Sequence, residues 1–500
     1  IMDKKVVIIK GNTYKYDKEI PFRPSELYPE SIFSELGDSK NEIYEMVREG
    51  FHLMDYDKKH YNTKDWNPLG DVITSGMNVL LKPNLVMDYN GNKSGGTDCL
   101  YTQPSVVAAV LDYAIIALKG EGTIIVADAP MQSCDFVKLM ENSGYKTMIE
   151  WYNEKLKGTN IKLAIYDLRE LRSKFVNSVL VYTTERYEYT GKGGVIVDLN
   201  ADSEFFGMNA RNYENIRITY YDPAILKKYH NAEVNEYKIA KEILEADVII
   251  NMPKPKVHRM AGTTVSLKNL VGINSRKEYL PHHINGSPDE GGDQYMYDSL
   301  WKIINNKLTD VRNYQMQTNK NISLGWILTQ LVRITSRLAR WFSKDHYNNG
   351  MWYGNDTISK TIVDLNRILF YANKNGIMQL TKQRKEIIVA DMIISGEKEG
   401  PVAPSPKNVG MIAIGDNPVF FDEIISYLMG IKMEYAHTII RAKSIKTKFP
   451  LVDEGDKPIL ISNDVHYNNR YLEELKDEDL LYFIPSSGWE EAFKIRTEII

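Results

Sequence analysis

A chain of 500 residues is long enough for two domains, and 43% hydrophobic with 26% charged residues is the balance of an ordinary globular protein. A formal net charge of -4 excludes a global field for nucleic acid, so any polyanion must be met by a local patch. With only Cys99 and Cys134, an iron–sulfur cluster or four-cysteine zinc site is not expected, and a reducing compartment is.

In chain order, Val6 to Lys10 is predicted as a first strand, with no secretory signal before it. Asp38 to Met54 is predicted as an amphipathic helix carrying Ile43, Val47, Phe51 and Leu53. Met77 to Asn84 reads as a buried strand ending in Lys82-Pro83-Asn84, and Thr102-Gln-Pro104 opens a helix with proline in its first turn. Thr123 to Asp128 is a strand, and Cys134 to Tyr145 a short helix closed by Gly144. This alternation argues for a parallel sheet. Residues 161–222 are β-rich and irregular, Asn235 to Glu245 is predicted as a helix, and Ala246 to Ile250 as a buried strand. Tyr279 to Tyr295 is a polar loop rich in Gly and Pro. Leu324 to Lys344 is a basic amphipathic helix, read first as a core-facing helix with a solvated side and second as a membrane or partner contact. Thr357 to Asn373 follows as a helix with Asn355-Asp356-Thr357 as its N-cap cluster. Ile387 to Asp391 and Val409 to Ile414 are strands, joined through a loop, Gly396 to Pro401, that carries Glu397 and Glu399. No apolar run reaches about 18 residues, so a cytoplasmic protein without a transmembrane segment is expected.

The fold class expected is α/β: two α/β lobes with mostly parallel sheets and a cleft between them, plus a helical insertion. Residues 1–235 form the first lobe, with the β-rich insertion at 161–222; 236–320 and 357–440 form the second; 321–356 are the helical insertion and 441–500 a C-terminal extension.

The densest chemistry lies just after the strand at 246–250, where Lys254, Lys256, His258, Lys268 and Asn269 follow within one segment. Open α/β sheets place ligands at the carboxyl ends of their strands, and lysines converging there suit an anion. A solvated basic loop has the same composition. Lys82 and Asn84 end another strand and suit phosphate or carboxylate equally well as a plain strand exit. His282 and His283, followed by Asp289, Glu290 and Asp293, suit a divalent metal or an acid–base pair, and a polar surface loop accounts for them as simply. Adjacent residues of an extended segment point oppositely, so one imidazole faces any given site, with His283 preferred. No Walker motif, GxSxG or GxGxxG is present.

Taken together, Lys82-Pro83-Asn84, Thr102-x-Pro104, Pro253-Lys-x-Lys256-x-His258, Leu267-Lys268-Asn269-Leu-x-Gly272, Gly396-x-x-x-Gly400-Pro401 and Gly415-Asp416 with Asp422 resemble the uncharacterised family of domain of unknown function 362 over roughly residues 70–435. Many members carry a ferredoxin-type cysteine cluster, which this chain lacks. The segment is also similar, more distantly, to the nickel-pincer lactate racemase fold: Asp98 precedes Thr102-Gln-Pro104, and His258-Arg-Met-Ala261-Gly262 has Lys268 ten positions after the histidine. That resemblance implies a cofactor attached at Lys268 and a catalytic imidazole at His258. The racemase's second catalytic histidine falls in Asp128-Ala-Pro130, its substrate-clamping arginine near Tyr101, and its nickel-ligand histidine near Ile284.

The expected site is a cleft lined by Lys82, Asn84, Lys254, Lys256, His258, Lys268, Asn269 and one of His282 or His283, with Asp98 and Thr102 nearby. The expected function is an enzyme acting on a small anionic or hydroxylated substrate, sugar-like or hydroxy-acid-like. His258 serves as general acid–base and the lysines neutralise charge. Two other readings stand beside it: a non-catalytic binding or assembly protein for an anionic glycan or phosphorylated carrier, and a racemase-like enzyme with a lysine-tethered nickel-pincer cofactor. The divalent-metal candidates are His282, His283 and Asp293.

Overall fold

The computed structural model describes residues 4–319, 321–444, 447–453 and 455–494. Among them, one sheet gathers eleven strands, numbered here in chain order: β1 Lys5–Lys10, β2 Asn78–Pro83, β3 Glu121–Asp128, β4 Asn160–Asp167, β5 Val248–Met252, β6 Lys256–His258, β7 Gly262–Thr264, β8 Lys385–Glu399, β9 Ala403–Gly415, β10 Ile459–Ser462 and β11 Arg470–Tyr471. The strand order is β11-β10-β1-β9-β8-β5-β2-β3-β4, and β6 pairs with both β7 and β8. From β8 through β4 every neighbour along this order is parallel, whereas β8–β9 and β9–β1 are antiparallel. The α/β class with mostly parallel pairing is therefore what the chain adopts, and strands from both ends of the sequence meet in a single sheet.

The continuous apolar runs of β2, β3 and β5 are the pattern of strands covered on both faces. Leu81 packs in one core cluster with Phe51 and Val107, whereas Leu80 packs in another with Ile249 and Ile243. The longer helices used below are α1 Glu42–Leu53, α2 Pro104–Leu118, α3 Leu300–Tyr314, α4 Ile322–Phe342 and α5 Thr357–Tyr371. Asn41 caps α1 by accepting the Tyr44 N–H, and Pro104 opens α2 in the turn where its missing N–H costs nothing.

Two expectations about local structure are corrected. Residues 235–245 are not one helix: Glu236–Ala240 is a strand paired antiparallel with Gly194–Asp198, followed by the short helix Lys241–Glu245. The alternation there, with Tyr237 and Ile239 buried, has a period of two rather than 3.6. Gly396 to Glu399 is not loop but the end of β8, so the turn is confined to residues 400–402 of a long hairpin. Glu397 and Glu399 take structural partners there: Glu397 accepts the Ile484 N–H, and Glu399 lies 3.0 Å from Arg259.

Candidate functional site

Parallel pairing decides which polar groups meet. Asn251 lies opposite Lys82 in the β5–β2 register, and β3 ends beside them at Asp128. The carboxyl ends of these strands thus open on one edge, where a cavity of about 340 Å³ lies. Asn84, Lys256, His258, Lys268, Asn269 and His282 line it, together with Asp128 and Lys277.

Asn269 ties this floor together. Its Oδ1 accepts from Asn84 Nδ2 (3.0 Å) and Lys82 Nζ (3.2 Å), and its Nδ2 donates to Asn251 Oδ1 (2.7 Å) and the Lys82 carbonyl (3.1 Å). Lys82 is fully buried and does not line the cavity; its ammonium pairs with Asp128 Oδ1 at 2.6 Å, and Asp128 Oδ2 accepts the Leu85 N–H at 2.8 Å. A Cβ on Gly272 would stand 2.1 Å from Asp128 Oδ1 and 2.8 Å from Lys82 Nζ, so this glycine leaves the room the ion pair occupies. Lys254 likewise lies outside the cavity. It is buried 3.0 Å from Asp391 Oδ2 and bonds the Tyr16 hydroxyl, which in turn donates to Asp391 Oδ1 at 2.6 Å. Thr102 donates from Oγ1 to the Met252 carbonyl, a strand-to-helix brace, and Asp98 is half-buried away from the cavity lining.

The lysines that face the cavity are short of counter-charge. Asp128 is committed to Lys82. Lys256 donates to the Leu100 carbonyl and Lys277 to the Ala129 carbonyl at 2.7 Å, but Lys268 has no hydrogen-bond or ion-pair partner among the described residues. Burial first, then repulsion from Lys254 and Lys268, pushes Lys256 down to about 7. Burial lowers Lys277 to about 7, with Lys82 adding to the repulsion, and burial with Lys82 brings Lys268 to about 8. Lys268 stands on the short helix Ser266–Asn269, whose first amides donate to Asp422: Ser266 N at 2.8 Å and Leu267 N at 3.1 Å.

The two cavity histidines have opposite tautomers. His258 Nδ1 accepts from the Met260 and Ala261 amides at 3.1 and 3.2 Å, so its proton sits on Nε2. Burial and the neighbouring Lys268 hold this imidazole well below its ordinary range, making it a neutral donor rather than a resting base. His282 instead donates from Nδ1 to the Leu280 carbonyl at 2.7 Å, leaving a bare Nε2 lone pair, and burial lowers it to about 4. Asn84 Oδ1 is a further buried acceptor without a donor. The open groups therefore include the Lys268 amine, the His258 Nε2–H, the Thr264 hydroxyl and two acceptors, His282 Nε2 and Asn84 Oδ1.

The preference for His283 is corrected: alternation sends His282 to the cavity, while His283 is buried in a two-stranded ribbon opposite Arg217. The metal group of His282, His283 and Asp293 is not assembled. Asp293 accepts from Ile284 N (2.7 Å), Asp356 N (3.0 Å), Thr357 N (2.7 Å) and Thr357 Oγ1 (2.6 Å), capping α5 from a distant loop. Among the described residues no three His, Cys, Asp or Glu side chains come together in a metal-holding group. Asp356, expected to share in the capping, makes no side-chain cap bond and pairs with Arg441. Asp293→Ala is therefore expected to lower stability by about 1–3 kcal/mol, since buried amides lose their acceptor. Urea unfolding measures it, and an unchanged midpoint would remove the capping role.

Sequence reading missed Asp128 as the partner of Lys82, and Lys277 as a cavity residue. The first was signalled by its place at the end of a parallel strand; for the second we find no sequence signal.

A family model described as Domain of unknown function (DUF362) matches residues 79–184 and 176–426. A protein of Synechocystis sp. (strain ATCC 27184 / PCC 6803 / Kazusa), described as thylakoid-associated, is 25% identical over 221 residues. That match covers 44% of this chain and 46% of the relative, so the chain spans about half the length of the curated relative it matches.

Proposed function

Because the chain belongs to the family of domain of unknown function 362, whose description names no reaction, we propose from the chemistry of the cavity that it is an acid–base enzyme acting on a small anion that carries a hydroxyl or carbonyl group. The observation that carries this reading is Lys268, an amine facing the cavity without a partner among the described residues and with a proton affinity lowered to about 8. At pH 7 about a tenth of it is free amine, enough for a general base that is rapidly replenished. Lys268 takes a proton from the carbon beside the substrate carbonyl or carboxylate, and the C–H electron pair moves onto that group's oxygen, which accepts a hydrogen bond from His258 Nε2–H. The Lys268 ammonium then returns the proton to carbon. Lys256 and Lys277 offset the anionic charge. His282 Nε2 and Asn84 Oδ1 accept from the substrate hydroxyl. His258 thus serves as a fixed hydrogen-bond donor instead of the general acid–base expected from sequence.

A thermal-shift panel of hydroxy acids, phosphate and sulfate tests this. An anion at a hundred times its dissociation constant adds about 2.7 kcal/mol to the parent, and Lys268→Met is expected to lose most of that gain while keeping the fold. Equal shifts in parent and variant would sink the reading.

The free Lys268 amine and the bare His282 Nε2, which line one cavity, also favour a second reading, in which Lys268 tethers a nickel-pincer cofactor. Such a group would supply hydride chemistry, with Lys268 as attachment point and His282 as the imidazole within reach. Intact-mass measurement decides it: added mass on the parent, absent from Lys268→Met, supports the tether, and an unmodified parent opposes it.

A further inference from the structure

The helices between residues 300 and 342 carry chemistry that the lysine cavity does not use. Helices α3 and α4 pack as a hairpin, and α4 turns Leu328, Val332 and Ala339 inward. Its outer side is apolar: Trp326, Ile327, Leu331, Ile334, Trp341 and Phe342 are all exposed, with Trp341 at 76% and Ile334 at 50%. Ile327, Ile334 and Trp341 recur every seven residues and so share one stripe. Arg333, Arg337 and Arg340 repeat on a neighbouring edge of the same helix. From Val311 to Lys344 the sequence has six Lys and Arg and no Asp or Glu.

Under that edge lies a second cavity of about 440 Å³, lined by Arg312, Arg333, Arg337 and Arg340. Arg312 is only 7% exposed, yet among the described residues its guanidinium finds only Asn313 Oδ1 (3.0 and 3.2 Å) and the Tyr220 ring. None of the four arginines has a carboxylate partner among the described residues. A buried guanidinium without a counter-charge is costly unless an anion completes it. Thr219, Tyr220 and Asn349 line both this cavity and the lysine cavity, so the two adjoin.

We propose that α4 lies on an anionic lipid bilayer, its apolar stripe in the headgroup–acyl boundary, and that the arginine cavity receives a lipid phosphate. No helix of the described residues is long and apolar enough to cross a membrane; an exposed apolar stripe beside a basic edge is the pattern of a helix that lies in the interface plane. Tryptophans near both ends of the stripe match the interfacial preference of indole, and arginine side chains reach from such a helix to phosphates. A second copy of the chain fits poorly, because two basic edges would face each other. This docking does not depend on the catalytic reading of the lysine cavity.

Vesicle flotation tests it, with the full chain and two lipid compositions: phosphatidylcholine alone, and phosphatidylcholine mixed with phosphatidylglycerol. The parent is expected to float with the mixed vesicles and not with the neutral ones, and added salt is expected to weaken this. Trp341→Glu and Ile334→Glu, both at exposed positions that the fold tolerates, should abolish flotation. Each of Arg333→Gln, Arg337→Gln and Arg340→Gln should reduce partitioning about fivefold. Lys268→Met should float like the parent, which separates failure of this proposal from failure of the lysine reading. Absence of flotation, or equal flotation of the parent and a triple arginine variant, overturns the proposal. Stabilisation by inorganic pyrophosphate without vesicle binding also overturns it, in favour of a free phosphorylated ligand, and an acidic protein bound in place of vesicles does the same.

Discussion

Asp128→Ala is expected to cost about 3–5 kcal/mol of stability, the loss typical when one partner of a buried ion pair is removed. The reason is Lys82, which is fully buried and among the described residues would keep only the Pro83 carbonyl at 3.1 Å and Asn269 Oδ1 at 3.2 Å as acceptors. Neither is charged. Adding Lys82→Met in the same chain should recover most of the loss, because an apolar stem of similar length needs no counter-ion. Gly272→Ala should produce a related defect by another route, since its new methyl must displace the Asp128 carboxylate. Urea unfolding at pH 7 with an unchanged slope measures all three. A single-variant loss below about 1 kcal/mol, the range of an exposed pair, would show that the pair is not holding the strand ends.

The second large effect is a pH dependence set by Lys256 and Lys277. Both are held near 7 in the folded chain against an ordinary 10.5, burial being the main cause. Between those values the unfolded chain binds more protons than the folded one, so stability rises with pH across that window and is flat below it. Lys256→Met removes one of these contributions. It should therefore be more stable than the parent at pH 7 by a few kcal/mol, since each tenfold loss of proton affinity on folding costs about 1.4 kcal/mol, with the difference closing toward pH 10. The parent curve alone does not isolate this. Burial raises Glu386 to about 8 and Asp422 to about 7, and these carboxyls make stability fall as pH climbs from the ordinary carboxylate range to those values. The variant-minus-parent difference cancels them. A difference that stays constant from pH 7 to 10 would mean that Lys256 is not perturbed. An anion bound in the cavity should shrink the difference at pH 7, because it supplies the missing counter-charge.

The sequence by itself determined the strands that build the site edge. β2, β3 and β5 are unbroken apolar runs bounded by polar residues, and burial on both faces needs no distant information to be read. The same holds for α2, which begins at Pro104, and for the placing of Lys82 and Asn84 at the carboxyl end of β2, whereas Lys256 to His258, read from sequence as part of the segment after a strand, forms the separate strand β6. Only the tertiary structure decided which of these groups stay open. Lys254 and Lys256 are two residues apart, yet one is neutralised by Asp391 on β8 and the other lines the cavity. His258 has the residue type of a proton shuttle, but its Nδ1 accepts two backbone amides, which fixes its proton on the far nitrogen. Asp293 has the residue type of a metal ligand in a flexible loop, but it caps α5 more than sixty residues away. Periodicity along a chain records which side of an element is buried, because that depends on local geometry. The pairing of a buried charge depends on which remote residue the fold brings within about 3 Å, and nothing in the local pattern carries that distance.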